Sequence, residues 1–175
     1  MKSIEVKIQG ISGLLMHKFP MEPIEGLEKK PKEEQAEFAA YRSERGDLYI
    51  PSVAIQRTLI GAATYSKGKG RGSLQKVAAA CIFISPEYVS LGTEKYEIDS
   101  RPVVVPATRG RVIRHRPKLT EWSVTFTLDF DETLITPTQM RKIVDDAGSR
   151  VGLLDFRPAT KGPFGRFMVV SWKDN

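Results

Sequence analysis

Two histidines, His17 and His115, are the candidates for acid–base chemistry in this sequence. A histidine can take a proton from a ribose hydroxyl near neutral pH, as metal-independent cleavage of RNA requires. His17 follows the first predicted strand beside Met16 and Phe19, where a packed structural role is the commoner one. The sequence has a single cysteine and lacks HExxH and GxSxG motifs, so it offers neither a metal-ligand set nor a nucleophile elbow. We therefore predict no catalytic residue, no metal and no cofactor, and the alternative is a ribonuclease that uses either histidine as its base.

The basic residues are concentrated in two stretches that contain no acidic residue. Residues 48–86 and 100–120 together hold eleven of the 27 basic residues and none of the 21 acidic ones. The rest of the chain has a net charge of −5, against +6 for the whole. Segregation of this kind favours an anionic partner, and arginine can bind phosphate in a bidentate geometry. The two stretches therefore predict a nucleic-acid interface.

The second basic stretch, RPVVVPATRGRVIRHRP, has strand-like pieces on either side of a turn near residues 108–110. A hairpin would place alternate arginines on one face, where guanidinium groups can bind phosphate and stack on bases. The same pattern is also typical of an exposed ribbon whose charges prevent aggregation. The candidate contacts in this stretch are Arg101, Arg109, Arg111, Arg114, His115, Arg116 and Lys118.

Two glycine-rich segments carry the remaining candidates. SKGKGRGS, residues 66–73, could bring backbone amides close to phosphate, although its composition is equally that of a flexible linker. KGPFGRF, residues 161–167, combines glycine, charge and aromatic rings, and we expect Phe167 to belong to the core. The candidates in and beside the first segment are Arg57, Lys67, Lys69, Arg71 and Lys76, and those near the second are Arg157, Lys161, Phe164 and Arg166.

The elements that must position these residues follow from the hydrophobic pattern. Strands are predicted at 3–9, 48–50, 81–84, 122–130 and 167–172, and helices at 32–45, from Pro51 onward, at 74–80 and at 136–147. This order predicts an α+β fold, with a ferredoxin-like or RRM-like (split βαβ) antiparallel sheet and helices on one face. The basic hairpin lies in an insertion at about 86–120, and residues 1–175 form one domain.

The order of parts resembles the RAMP superfamily, the RRM-like RNA-binding proteins of CRISPR systems. The resemblance is carried by SGLLMHKF after the first strand, by LYIPSVAIQRTLIGAA and by KGPFGRF. It implies a modified RRM with a β-hairpin thumb at residues 99–118, in a reduced backbone-like subunit encoded by a phage or mobile element. It also implies protomers that stack head to tail. Relatives that cut RNA use an Asp in the loop after the first strand, and this chain has none before Asp47, so the resemblance implies no cleavage.

Charge, motifs and resemblance together predict a non-enzymatic cytoplasmic protein that coats single-stranded RNA or DNA as a head-to-tail homo-oligomer. No apolar run reaches the length of a membrane span, so no membrane partner is predicted. Because no residue is identified as a reader of the 2′-hydroxyl, the sequence does not separate RNA from DNA. A third alternative is an assembly protein whose basic surfaces meet acidic surfaces of neighbouring copies.

Overall fold

The alternating segments of the sequence build a four-stranded sheet with helices packed against it. The computed structural model describes all 175 residues. Its strands are β1 (Lys2–Gly10), β2 (Leu14–Leu15), β3 (Tyr49–Pro51), β4 (Ile82–Ser85), β5 (Tyr88–Ser90), β6 (Glu97–Val104), β7 (Arg111–Leu119), β8 (Ser123–Phe130) and β9 (Phe167–Asp174). Its α-helices are α1 (Lys32–Phe38), α2 (Ser52–Ala62), α3 (Gln75–Cys81) and α4 (Pro137–Asp146). The chain is therefore an α+β protein.

The main sheet has the strand order β4-β8-β1-β9, and every neighbouring pair is antiparallel. Strands β1 and β8 pair in a register that sets Ile4 opposite Leu128 and Val6 opposite Phe126. Alternate residues of a strand point to the same face of the sheet. These side chains therefore share one face, and all of them are buried there. The other face presents Lys7 and Thr125 to solvent, so only one face of the sheet carries the core.

Helices α2 and α4 cover that apolar face. Ile55 and Leu59 of α2 and Ile143 of α4 belong to the same buried cluster as the sheet residues. Helix α4 begins in a capping box, in which the Thr136 hydroxyl accepts from the Gln139 amide at 3.2 Å and the Gln139 side chain accepts from the Thr136 amide at 3.0 Å. The predicted starts of both helices are thus confirmed.

Helix α4 does not end at Gly148, although a glycine at the end of a helical pattern commonly acts as the C-cap. The helix continues into a π-helical turn at residues 147–151, and Gly148 is buried inside that turn. A Cβ at Gly148 would lie 2.1 Å from the Phe167 carbonyl oxygen. Glycine is required there because β9 passes directly against the turn.

The predicted helix at 32–45 is wrong in length, since α1 ends at Phe38. After Ala39 the chain turns back, and Arg42 forms a β-bridge with Leu48. Tyr41 packs against Tyr49 with ring centroids 5.7 Å apart, while the Arg42 guanidinium binds Glu37 and the Gly46 carbonyl. These tertiary contacts outweigh the helix propensity of the Glu- and Ala-rich segment.

Strands β6 and β7 form the predicted hairpin, which is longer than the sequence indicated. The pairing runs from Glu97 opposite Lys118 to Val104 opposite Arg111. The turn is closed by hydrogen bonds of 2.8 Å between Val105 and Gly110 and between Arg109 and Val105. Strand β2 pairs with the base of β7, so the base is anchored and the tip projects beyond the last paired residues. None of the helices is both long and apolar enough for a membrane crossing.

Candidate nucleic-acid interface

A cleft of about 360 Å³ brings together segments that are far apart in the sequence. We name it the Arg57 cleft. It lies between α2, the loop after β2 and the segment after α4. Its lining residues are His17, Tyr41, Pro51, Val53, Ala54, Arg57, Leu154, Asp155 and Arg157. A second, smaller depression also touches His17 and adds Arg114, His115 and Arg116 of the hairpin. His17 therefore connects the cleft to the hairpin.

Asp155 is the acidic centre of this region and binds two basic side chains. Its carboxylate accepts a short hydrogen bond from Arg116 Nη1 and lies 3.5 Å from His17 Nδ1. Burial alone would raise the pKa of Asp155, but the hydrogen bond from His17 and the charge of Arg116 outweigh it and lower the pKa. Asp155 is therefore a carboxylate at neutral pH, and it holds both partners in place.

Arg116 therefore does not belong to the predicted nucleic-acid interface. Its residue is only 5% exposed, and its Nε is buried without a hydrogen-bond partner. A guanidinium that is buried and paired with Asp155 cannot also neutralise a phosphate at the surface. Asp155 pairs with Arg116 across the fold and not with Arg157, its neighbour in the sequence.

Arg101 and Phe164 were both predicted to contact nucleic acid, but they contact other residues of the protein instead. Arg101 forms two hydrogen bonds of 2.7 Å with Asp99, and its guanidinium stacks over the rings of Phe156 and Phe164 at 5.4 and 4.8 Å. Phe164 is 8% exposed, so it offers no ring face to a base. Phe167 is buried as expected. The Arg101 stack fastens the hairpin to residues 157–166, the segment before β9 that we call the late loop.

The glycines of the late loop serve close packing and not phosphate approach. A Cβ at Gly162 would lie 2.0 Å from the Phe156 carbonyl oxygen, and one at Gly165 would lie 2.0 Å from that of Leu153. Their amides already donate to Arg157 and Gly13. In the 66–73 loop, by contrast, a Cβ at Gly72 would meet nothing within 4 Å, and the side chains of Lys67, Lys69 and Arg71 are exposed.

The backbone between α4 and the late loop is strained where it borders the cleft. Leu154 and Phe156 have φ of 62° and 47°, a left-handed conformation that bulky residues rarely adopt. Such residues cost on the order of 1–3 kcal/mol each and are often found at ligand sites, where surrounding contacts impose the conformation. The strain holds Leu154, Asp155 and Arg157 on the wall of the cleft.

His17 and His115 occupy different environments. His17 is exposed, with 43% of its side chain accessible, so the expectation of a packed structural histidine is wrong. The reason is that Met16 is buried while Phe19 projects into solvent, which leaves His17 on the surface between them. His115 Nδ1 lies 2.7 Å from the Ser100 hydroxyl on the opposite face of the hairpin from Arg114.

The remaining predicted cations form no ion pair with a carboxylate. Arg109, Arg111 and Arg114 lie at or near the hairpin tip, and Arg111 shares the face of His115 while Arg114 shares that of Arg101. Those outside the hairpin tip are Arg57 and Lys76 on the helices, Lys67, Lys69 and Arg71 in the open loop, Lys118 at the hairpin base, and Arg157, Lys161 and Arg166 in the late loop.

Sequence reasoning missed Tyr41, Val53 and Leu154 as part of the site. Tyr41 falls in the predicted helix at 32–45, Val53 falls in the predicted helix from Pro51 onward, and Leu154 falls in no predicted element. Burial, and secondarily the charge of Asp155, raise the pKa of Tyr41, so its phenol stays protonated. Leu154 is distinguished only by its left-handed backbone conformation. The sequence pattern does not reveal that conformation.

Nowhere in the structure do three or more His, Cys, Asp and Glu side chains converge as a metal-ligand set. In comparisons with known proteins, no protein-family model matches the chain, and no curated protein sequence matches it.

Proposed function

We propose that this protein binds single-stranded RNA or DNA without chemistry and coats the strand as a head-to-tail homo-oligomer. The observation that carries the proposal is the convergence of three separately predicted basic segments on one surface. Arg57 of α2 and Arg157 of the late loop line the Arg57 cleft, and Arg114 of the hairpin borders the adjoining depression. Cations without carboxylate partners keep their full charge available for phosphate.

The fold that we propose for this function is ferredoxin-like or RRM-like, related to the RAMP superfamily. It is supported by the antiparallel order β4-β8-β1-β9, with α2 between β1 and β4 and α4 between β8 and β9. The hairpin of β6 and β7 would be the inserted thumb. The buried single thiol of Cys81 agrees with a cytoplasmic setting.

The bound nucleic acid would lie on the surface formed by the hairpin and the Arg57 cleft, and not across the face of the sheet. RRM sheets stack bases on aromatic residues of their central strands. Here the solvent face of β1 and β8 carries Glu5, Lys7, Thr125 and Thr127, which provide no aromatic ring. The hairpin, α2 and the late loop supply the charge instead.

The test of binding is a triple substitution at the hairpin tip, Arg109→Glu, Arg111→Glu and Arg114→Glu. Each of these arginines lacks a carboxylate partner, so the variant should fold and should lose measurable affinity for a labelled 20-nucleotide strand. The matched control is Lys29→Glu, Arg45→Glu and Lys95→Glu, which makes the same charge change at exposed residues elsewhere. Equal affinity of the two variants would contradict the proposal. Arg116 must be left intact, because its replacement would disrupt the pair with Asp155.

The oligomer is tested by size-exclusion mass with and without nuclease treatment. Head-to-tail coating predicts large species that absorb strongly at 260 nm and shrink to protomers when the nucleic acid is digested. The exposed acidic segment that includes Glu22, Glu25 and Glu28 could meet a basic surface of the next copy. Large species free of nucleic acid would instead indicate the assembly protein.

The pairing of His17 with Asp155 favours one second candidate, a metal-independent ribonuclease. A carboxylate at Nδ1 orients an imidazole as a general base, and the neighbouring arginines could stabilise charge on phosphorus. Incubation of labelled RNA with the protein and EDTA tests it. Cleavage that is lost in His17→Ala would replace coating as the function, and intact RNA would exclude the ribonuclease.

A further inference from the structure

We propose that the Arg57 cleft binds a single nucleoside monophosphate unit, with its phosphate on Arg57 and Arg157 and its base against the apolar wall. The inference rests on the proposed function in that this unit is taken to be one nucleotide of the bound strand. It adds a discrete pocket to a surface that otherwise offers only distributed charge.

The size and lining of the cleft fit this ligand. Its volume of about 360 Å³ lies at the small end of the range of about 300–1,000 Å³ found for small-molecule sites. That space suits one nucleotide and not two. Val53, Ala54 and Leu154 give the wall an apolar surface, and the protonated phenol of Tyr41 adds an aromatic face and a donor. Bases bind to surfaces of this kind by stacking.

The charge of the cleft fits one phosphate. Arg116 neutralises Asp155 from the protein side, so the only lining carboxylate is already satisfied. Arg57 and Arg157 have no carboxylate partner, and Arg157 Nε is buried without any hydrogen-bond partner. Both guanidinium groups therefore have charge available for one phosphate.

The strained backbone is an independent indication of a ligand site. Leu154 and Phe156, on either side of Asp155, both have positive φ. This conformation turns Leu154 and Asp155 toward the same cleft, although they are adjacent in sequence. The neighbouring Gly162 and Arg101 contacts lock the segment in place. The apolar and polar parts of the wall are therefore preformed.

The experiment is a titration of the full chain with adenosine 5′-monophosphate, adenosine and inorganic phosphate, followed by amide NMR shifts. The expected result is that the monophosphate shifts the amides of Ala54, Leu154 and Arg157, and that each fragment alone binds about tenfold more weakly or worse. Phosphate that binds as tightly as the monophosphate would overturn the base part of the proposal. Shifts confined to other residues would overturn it entirely.

Matched variants assign the effect to the cleft. Arg57→Gln removes an exposed guanidinium without disturbing the core, and should weaken binding of the monophosphate about tenfold. Arg45→Gln, at an exposed position outside the cleft, should bind as the parent does. A second variant, Leu154→Ala, should weaken the monophosphate but leave the affinity for inorganic phosphate unchanged. Parent-like binding by Arg57→Gln would contradict the proposal.

Competition with an octanucleotide separates a nucleotide of the strand from a free nucleotide. Displacement of the monophosphate by the octanucleotide is expected if the cleft takes part of the strand. Simultaneous binding of both would show that the ligand is a free nucleotide, and would overturn the link to the strand. If the octanucleotide binds while the monophosphate does not, the inference fails and the proposed function stands. If only the monophosphate binds, the proposed function fails and the pocket stands.

Discussion

Asp155 connects the hairpin to the cleft through a single carboxylate. Arg116 reaches it from β7 and His17 from the loop after β2, while its own backbone belongs to the strained segment after α4. The stretch 100–120 contains no acidic residue in sequence, but the fold brings Asp155 to its centre. Charge counting along the chain therefore could not predict that Arg116 is internal, because its partner is 39 residues away.

Replacement of Asp155 by Asn should destabilise the protein through the arginine left behind. Arg116 would remain buried without its counter-charge, and the expected loss in the free energy of unfolding is about 1–3 kcal/mol. The matched control is Asp145→Asn, which removes an exposed pair with Arg141 and should cost only about 0.3–0.5 kcal/mol. Urea unfolding measures both, and equal losses would show that the Asp155 pair has no special role.

The pH dependence of stability has a defined sign at the same residue. Because the pKa of Asp155 is lower in the folded protein than in the unfolded chain, its contribution is present above the unfolded pKa. It is lost as pH falls through the folded pKa, that is, below about pH 4. The parent should therefore lose its advantage over Asp155→Asn in urea titrations as the pH is lowered from 5 to 2. A constant difference over that interval would be inconsistent with the pairing.

At the scale of elements, the alternating and capped segments were predictable and the late loop was not. Strands β1, β8 and β9 and the starts of α2 and α4 follow from period-two patterns and from Pro51 and Thr136. In sequence, the late loop has the pattern of a nucleic-acid-binding segment because glycine, basic residues and phenylalanine occur together in it. Its glycines instead allow the backbone to pack closely against Phe156 and Leu153. The composition of a segment does not show which residues it will contact in the fold.

The two glycine-rich loops should therefore respond differently to alanine. Gly162→Ala places a Cβ against the Phe156 carbonyl and should cost about 1–3 kcal/mol. That loss lowers the melting temperature by about 3–10 °C in a chain of this size. Gly72→Ala, in open space, should change the melting temperature by less than about 2 °C. A thermal scan of both variants decides, and similar melting temperatures would contradict a packing role for Gly162.

At the scale of the whole molecule, cations without carboxylate partners extend from the hairpin tip through the cleft to the late loop. If these cations bind nucleic acid as proposed, the affinity will depend on salt because each phosphate contact releases a counterion. The overall charge asymmetry was visible in the sequence. The particular surface was not, because it needs Arg57, Arg114 and Arg157 to come together in space.

The salt dependence of nucleic-acid binding should show directly whether the hairpin tip contacts phosphates. The logarithm of the association constant should fall linearly with the logarithm of salt concentration, with a slope of about −0.7 per phosphate contact. Replacing Arg109, Arg111 and Arg114 with Gln should make that slope shallower by about 2. The control with Lys29, Arg45 and Lys95 replaced by Gln should keep the parent slope. If the tip substitutions leave the slope unchanged, the nucleic acid does not contact the hairpin tip.

The outer edges of the sheets restrict how copies of the protein can join. Strand β6 is an edge and contains Pro102, which lacks an N–H. Strand β4 has four residues and is followed by Pro86, and the pairing of β9 with β1 is interrupted by a bulge at Val170. None of these edges is a good template for adding a strand from a neighbour. If copies associate as proposed, the contact at these edges would be made by side chains, and a concentrated solution of the protein should resist fibre formation through strand addition.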